Sequence, residues 1–142
     1  MDNKKVYKTY KKGQVIYADF GKKPPGVEGG LRPCVVVSCD ESNHSRAPQI
    51  TVCPLSSKLK KNPVHVVINP LDVSGYHLKT VSDMLPEDIQ TISKTAVRGT
   101  VGYIRKDSPV MEEINNKLAL QFGLQKRANN ERREDEQYDK EK

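Results

Sequence analysis

Arg32 is the residue best placed to do chemistry, because it follows Gly29 and Gly30 and directly precedes Pro33. It stands at the start of the most apolar segment of the chain, so we expect a rigid strand beneath it and a glycine-rich loop beside it. A guanidinium is a planar fork of N–H donors that suits a phosphate group. A surface arginine at the start of a strand is the alternative interpretation from position alone.

A second cluster of polar residues follows another apolar segment. Ser56 and Ser57 close that segment, and the loop after them carries Lys58, Lys60 and Lys61. A solvated surface is the simpler interpretation of three lysines. Together with Arg32, however, the serines and lysines indicate a groove that holds a phosphate backbone.

The histidines and cysteines do not have the spacing of a metal site. No pair of His44, His65 and His77 has an HxxxH pattern, and Cys34, Cys39 and Cys53 contain no CxxC pair. The loop at residues 21–30 fits neither common nucleotide-binding glycine pattern. We therefore expect no metal and no cofactor, three reduced and buried thiols, and structural roles for the histidines. His65 is the histidine to watch, because the lysine loop precedes it.

The elements that must position these residues are short strands followed by one helix. Alternating or continuous apolar patterns predict strands at residues 14–20, 31–39, 49–55 and 64–68, with weaker candidates at 80–85, 88–92 and 99–104. Pro54 is expected at a sheet edge or a strand end. A helical turn is possible near residues 93–97. The last element is predicted to be a C-terminal helix packed on the sheet. Its start is marked by Ser108 and Pro109, its apolar stripe is Val110, Ile114, Leu118 and Phe122, and its end is marked by Gly123 and Leu124. The fold class is mainly β with a C-terminal helix, as a small, highly curved barrel.

The length of 142 residues allows one domain, and 30% charged residues point to solvated appendages. We expect a basic arm over residues 1–12, a domain over 13–124 and a charged, disordered tail over 125–142. No apolar segment approaches the length of a membrane span, and no apolar stretch follows the basic N-terminus as in a secretory signal. These features indicate a cytoplasmic protein, and the net charge of +6 fits an anionic partner such as nucleic acid.

Five sequence blocks in this order resemble the MazF/PemK (Kid-like) family of toxin endoribonucleases. They are GQVIYADF at residues 13–20, EGGLRPCVVV at 28–37, ITVCPLSSKLKK at 50–61, PVHVVI at 63–68 and IQTISK at 89–94. The resemblance covers residues 12–124. It implies a homodimer with a small SH3-like barrel of the CcdB and MazF type. It also implies metal-independent cleavage of single-stranded RNA at short sequences. A cognate antitoxin would inhibit the protein, and the protein would contact operator DNA only through that antitoxin.

The resemblance also implies which residues act. Arg32 and Ser56 match the two positions that carry most of the family's chemistry. In such a reaction the 2′-OH of RNA attacks the adjacent phosphate, so Arg32 would stabilise charge on phosphoryl oxygens and Ser56 would hold one of them by a hydrogen bond. The general base stays unassigned, and DNA should bind without being cut. The RNA-contacting set comprises Glu28, Gly29, Gly30, Ser57, Lys58, Lys60, Lys61, His65, Glu87 and Gln90.

Three departures from the family pattern leave alternatives open. Many relatives have EQGG where this chain has VEGG at residues 27–30, and Gln90 and Ser93 replace a usual arginine and aspartate. Arginine at position 90 would grip RNA or brace the site. One alternative is therefore a relative that binds nucleic acid or an antitoxin without cutting. Another is a poison of a protein target such as a topoisomerase, since a related fold serves that role.

Overall fold

A computed structural model describes residues 5–75 and 78–124 of the chain. Within them, an antiparallel sheet curls into a half-barrel and one helix follows. The strands are β1 (Gln14–Asp19), β2 (Leu31–Val36), β3 (Gln49–Ser56), β4 (Val66–Ile68), β5 (Ser74–Gly75), β6 (Ser82–Met84), β7 (Gln90–Ser93) and β8 (Val97–Tyr103), and the helix is α1 (Pro109–Gln121). The strand order is β4-β6-β3-β2-β1-β8-β5, and β7 also pairs with β3. The predicted class of fold is confirmed.

All seven predicted strands are present with altered ends. Strand β2 stops at Val36, before Cys39, and β4 begins at Val66 because the His65 N–H closes a turn on the Asn62 carbonyl at 3.1 Å. Strand β5 was not predicted, since two residues are too few to show a pattern. The helical turn expected near residues 93–97 is a 3-10 turn over Lys94–Ala96.

The sheet buries apolar side chains on both faces. Along β3, Cys53 and Leu55 face the cluster that α1 covers, whereas Ile50 and Val52 face a second cluster that includes Tyr10. This alternation follows from the two-residue period of a strand. The central strands are therefore rigid, and a side chain at the end of β2 or β3 has a fixed base.

Pro54 does not lie at an edge or a strand end, contrary to the prediction. It lies within β3, opposite Cys34 of β2. On its other side β3 pairs with β7 as far as Val52 and with β6 from Leu55 onward, so the missing N–H falls between two ladders. The Pro54 carbonyl points to the same side and accepts the Leu85 N–H at 3.1 Å.

Helix α1 begins and ends as its sequence predicts. The Ser108 hydroxyl caps it by accepting the Met111 N–H at 3.2 Å. At the other end Gly123 has a φ of +68°, and the Leu124 and Gly123 N–H groups reach the Ala119 and Leu120 carbonyls, as in a Schellman motif.

The predicted apolar stripe of α1 is partly wrong. Val110, Met111 and Ile114 are buried and Leu118 packs against them. Phe122, however, is 54% exposed, because the sheet does not extend beneath the last turn, and the Leu124 side chain is exposed too.

The segment before β1 contacts the rest of the protein at Tyr7 and Tyr10, whereas Lys5 and Val6 are exposed. The Tyr7 N–H donates to the Ser45 carbonyl at 2.6 Å, and Tyr10 is buried. The buried Lys94 ammonium donates to the His44 carbonyl at 2.8 Å and lies near both tyrosine rings. Desolvation lowers the pKa of Lys94. The predicted tail, residues 125–142, lies outside the described residues.

Two glycines of β8 provide a matched test of the packing between β5 and β8. A Cβ at Gly102 would overlap the Ser74 carbonyl oxygen, whereas a Cβ at Gly99 would meet no atom within 4 Å. We expect Gly102→Ala to lower the free energy of unfolding by about 1–3 kcal/mol, as overpacking does. Gly99→Ala should change it much less. Urea unfolding followed by circular dichroism measures both, and equal effects would contradict this packing.

Candidate active site

Arg32, Ser56 and Asp83 lie in one row across the sheet. Ser56 of β3 pairs directly with Asp83 of β6. On the other side of β3, Cys34 pairs with Pro54, and the same register continued for two residues leads from Ser56 to Arg32. Side chains of cross-strand partners share a face, and here it is the face opposite α1. The two residues singled out for chemistry therefore come together.

The glycine-rich loop folds back onto Arg32. The Nη1 atom of Arg32 lies 2.6 Å from the Glu28 carboxylate, and Nε donates to the Gly29 carbonyl at 2.9 Å. Gly30 has a φ of +74°, and its N–H reaches the Gly21 carbonyl at 2.8 Å, which closes the loop. The Arg32 side chain is 26% exposed, so its guanidinium is held by the loop yet reachable by a ligand.

Asp88 and Gln90 anchor this loop to the sheet. The Glu28 N–H donates to Asp88 Oδ2 at 2.8 Å, and Gln90 Nε2 donates to the Glu28 carbonyl at 3.3 Å. Gln90 also donates to Asp88 Oδ1 at 3.3 Å. The residue that replaces the usual arginine thus braces the loop through its backbone.

His65 joins two carboxylates beside this row. Its Nδ1 lies 3.2 Å from Asp83 Oδ2, and its Nε2 lies 2.6 Å from Glu87 Oε2. The imidazole is 7% exposed, whereas the Glu87 side chain is 39% exposed. When protonated, the ring donates to both carboxylates. His65 therefore lies beneath the surface and holds Glu87 in place, and Glu87 is the member of this group that solvent reaches.

Ser56 and the lysine loop complete the site. Ser56 is 8% exposed, and its Oγ accepts the Lys58 N–H at 3.2 Å, which leaves the hydroxyl proton available to a ligand. The Lys60 N–H donates to Asp83 Oδ2 at 2.8 Å. Ser57, Lys58, Lys60 and Lys61 are exposed on the loop after β3.

Sequence reasoning missed Asp83 and Asp88. Asp83 is 2% exposed, and its carboxylate contacts the His65 ring and accepts the Lys60 N–H. Asp88 accepts the Glu28 N–H and so anchors the glycine-rich loop. One signal was present for Asp83, since an acid between Ser82 and Met84 interrupts a predicted strand. A buried carboxylate needs such partners.

The three cysteines lie in different environments. Cys34 and Cys53 are buried as predicted, whereas Cys39 is exposed because β2 ends before it. Burial raises the pKa of both buried thiols, that of Cys53 to about 12, so neither is a thiolate nucleophile.

Among residues 5–75 and 78–124, no group of three or more His, Cys, Asp or Glu side chains is arranged to hold a metal ion. In the same residues, no helix is long and apolar enough to cross a membrane.

The described residues form a small, mainly-β protein in which a partly exposed arginine lies on the same face of the sheet as a buried serine. Residues 11–122 match the profile of the PemK-like, MazF-like toxins of type II toxin–antitoxin systems. The chain therefore belongs to this toxin family.

Individual relatives agree with this assignment. The chain is 29% identical over 116 residues to an endoribonuclease MazF of Staphylococcus saprophyticus, covering 80% of this chain and 92% of the relative. A mycobacterial endoribonuclease solved with its cognate antitoxin has a TM-score of 0.67 and 22% identity, covering 84% and 100%. A MazE–MazF structure from Deinococcus radiodurans gives a TM-score of 0.59 and 24% identity, covering 83% and 100%.

The contacts of His65 predict a measurable contribution to stability. Replacing it, as in His65→Leu, removes one partner from the buried Asp83 carboxylate and should lower the free energy of unfolding by about 1–3 kcal/mol. Urea unfolding is the measurement, and His44→Leu, at an exposed histidine, is the control.

A double variant tests the physical cause. Adding Asp83→Asn to His65→Leu removes the buried charge and should recover part of the lost stability. Full stability of His65→Leu alone would show that the pairing contributes nothing.

Proposed function

We propose that this toxin is a metal-independent endoribonuclease that cuts single-stranded RNA, such as mRNA, at short sequences. The observation that carries the proposal is the register of β2 with β3, which, continued by two residues from the Cys34–Pro54 pair, puts Arg32 across from Ser56. The endoribonuclease names of the staphylococcal and mycobacterial relatives support it.

The reaction needs the RNA, the side chains of the site and water as a proton source. The 2′-OH gives its proton to a base and attacks the adjacent phosphorus, the bond from phosphorus to the 5′ oxygen breaks, and that oxygen takes up a proton from water, so the products are a 2′,3′-cyclic phosphate and a 5′-OH end. Arg32 stabilises the charge on the phosphoryl oxygens, because a guanidinium is permanently charged and fork-shaped. The Ser56 hydroxyl donates to one phosphoryl oxygen and keeps the phosphate in line.

A carboxylate of the site is the proton acceptor in this proposal. Arginine is unsuited to this role because it stays protonated. Glu87 is 39% exposed, and His65 fixes its orientation at 2.6 Å. A base must reach the proton it removes, and Glu87 satisfies this better than the buried Asp83.

The remaining RNA contacts surround this row. Glu28, Gly29 and Gly30 belong to the loop over Arg32, Gln90 anchors it, and His65 positions Glu87. Exposed Ser57, Lys58, Lys60 and Lys61 follow the RNA backbone beyond the scissile phosphate. No cofactor takes part.

The proposal extends to partners and place of action. We expect a cytoplasmic homodimer that a cognate antitoxin inhibits and that reaches operator DNA only through that antitoxin. Structures of relatives with their antitoxins support an antitoxin as a partner. Residues 125–142 are an appendage in this proposal, with a domain over 13–124 and a basic arm before it.

Incubation with a long single-stranded RNA in excess EDTA tests the activity. The wild type should produce discrete fragments ending in 2′,3′-cyclic phosphate, whereas Arg32→Ala should cut at least about 10²-fold more slowly, as loss of a charge-stabilising donor does. Arg98→Ala is the control, since Arg98 is exposed and its guanidinium donates to the Thr95 carbonyl. Intact RNA with folded wild type, across several RNA sequences, would favour the non-cleaving binder.

Ser56→Ala separates cleavage from binding. It should slow cleavage by about 10²-fold, because it removes a donor to the phosphoryl oxygen. Affinity for the same strand with 2′-O-methyl groups should stay unchanged, because Ser56 is 8% exposed and adds little contact area. Equal losses in rate and affinity would make Ser56 a binding residue. Ser42→Ala, at an exposed serine outside the proposed RNA-contacting set, is the control.

A further inference from the structure

The loop before β2 contacts the Arg32 guanidinium at two of its three nitrogens. A guanidinium makes bidentate contacts through Nε with Nη2 or through Nη1 with Nη2. Nε donates to the Gly29 carbonyl at 2.9 Å, and Nη1 lies 2.6 Å from Glu28 Oε2. A phosphate that binds the Nε–Nη2 edge with two hydrogen bonds must therefore displace the Gly29 carbonyl, and one that binds through Nη1 meets the Glu28 carboxylate.

Glu28 is the acceptor that can leave. Its backbone is anchored at both ends, by its N–H on Asp88 at 2.8 Å and by its carbonyl on Gln90 at 3.3 Å. Its side chain is 29% exposed and can rotate into solvent without moving those anchors. The Gly29 carbonyl, by contrast, moves only with the backbone.

The charge of Glu28 makes this displacement costly for an anion. The carboxylate lies where an oxygen of a bound phosphate would lie, and two anions on one guanidinium repel each other. A partly exposed ion pair contributes little to the stability of a fold. Its consequence here is therefore for binding, since the RNA must break the pair before it can use Arg32.

We propose that Glu28 is an internal counter-ion of the phosphate site, which holds Arg32 in the free protein and lowers its affinity for an RNA phosphate. This proposal rests on the proposed function in one respect, that RNA binds at Arg32. The counter-ion role goes beyond the proposed function, because it gives Glu28 an effect opposite to that of an RNA-contacting residue. Removing the charge of Glu28 strengthens RNA binding.

The test measures binding without cleavage. The probe is a fluorescent single-stranded oligonucleotide of mixed sequence with 2′-O-methyl groups throughout, titrated by anisotropy at several NaCl concentrations. Glu28→Gln should bind about tenfold tighter at low salt, because it removes the competing anion. The slope of log K against log salt should steepen by about 0.7, which corresponds to one more phosphate neutralised on a single strand.

Two controls isolate the contact from net charge. Glu113→Gln makes the same change in charge at an exposed position of α1, on the other side of the sheet. It should change affinity less than about twofold. Arg32→Ala should lower affinity, and adding Glu28→Gln to it should then have little further effect, since the group they compete for is gone.

The outcomes distinguish this inference from the proposed activity. Equal tightening by Glu28→Gln and Glu113→Gln would overturn it in favour of net charge alone, and unchanged or weaker binding by Glu28→Gln would overturn it outright. Cleavage of unmodified RNA is measured separately. If the wild type cuts no RNA but Glu28→Gln binds more tightly with the steeper slope, the counter-ion role stands and the nuclease activity does not.

Discussion

The pairing of β3 with three other strands is the constraint on which the site depends. One side of β3 meets β2, and the other meets β7 and then β6. Because both faces of the central sheet are packed, β3 cannot shift without exposing apolar side chains on one of them. Arg32, Ser56 and Asp83 take their relative positions from this one strand, and Pro54 marks the point at which its partner changes.

A network of charged and polar groups then connects the strand ends. Asp83 receives His65, His65 holds Glu87, the neighbouring Asp88 holds the Glu28 backbone, and the Glu28 carboxylate pairs with Arg32. The Asp83 carboxylate and the His65 ring are buried, so each needs the other as a hydrogen-bond partner, whereas solvent reaches Glu87. Glu87, the proposed proton acceptor, is thereby linked to Arg32, the proposed phosphate-binding residue. The link runs through Asp88, which follows Glu87 in one 3-10 turn.

The loop over Arg32 combines a fixed backbone with a movable side chain. Hydrogen bonds from the sheet hold Glu28 at its N–H and its carbonyl, while its carboxylate is reachable by solvent. In this arrangement the Gln90 amide braces the loop through the Glu28 carbonyl. An amide is sufficient to brace a backbone carbonyl, and the task needs no charge. In the proposed function, phosphate recognition then depends on Arg32, and the Glu28 side chain governs access to it.

The sequence by itself determined the local elements, because the signals for them lie within a few neighbouring residues. The apolar alternation of β1 and β3, the Ser108 cap and the Gly123 stop are each contained in one turn or one strand. The five blocks were sufficient to identify the family and to single out Arg32 and Ser56. Only the tertiary structure decided what depends on pairing between distant segments: the register that brings Arg32 toward Ser56, the place of Pro54 inside a central strand, and the burial of Asp83 against His65. Such contacts join residues far apart in sequence, as in Gln90 and Glu28, which are 62 positions apart, and no local pattern encodes which distant partner satisfies a buried carboxylate or a strand edge.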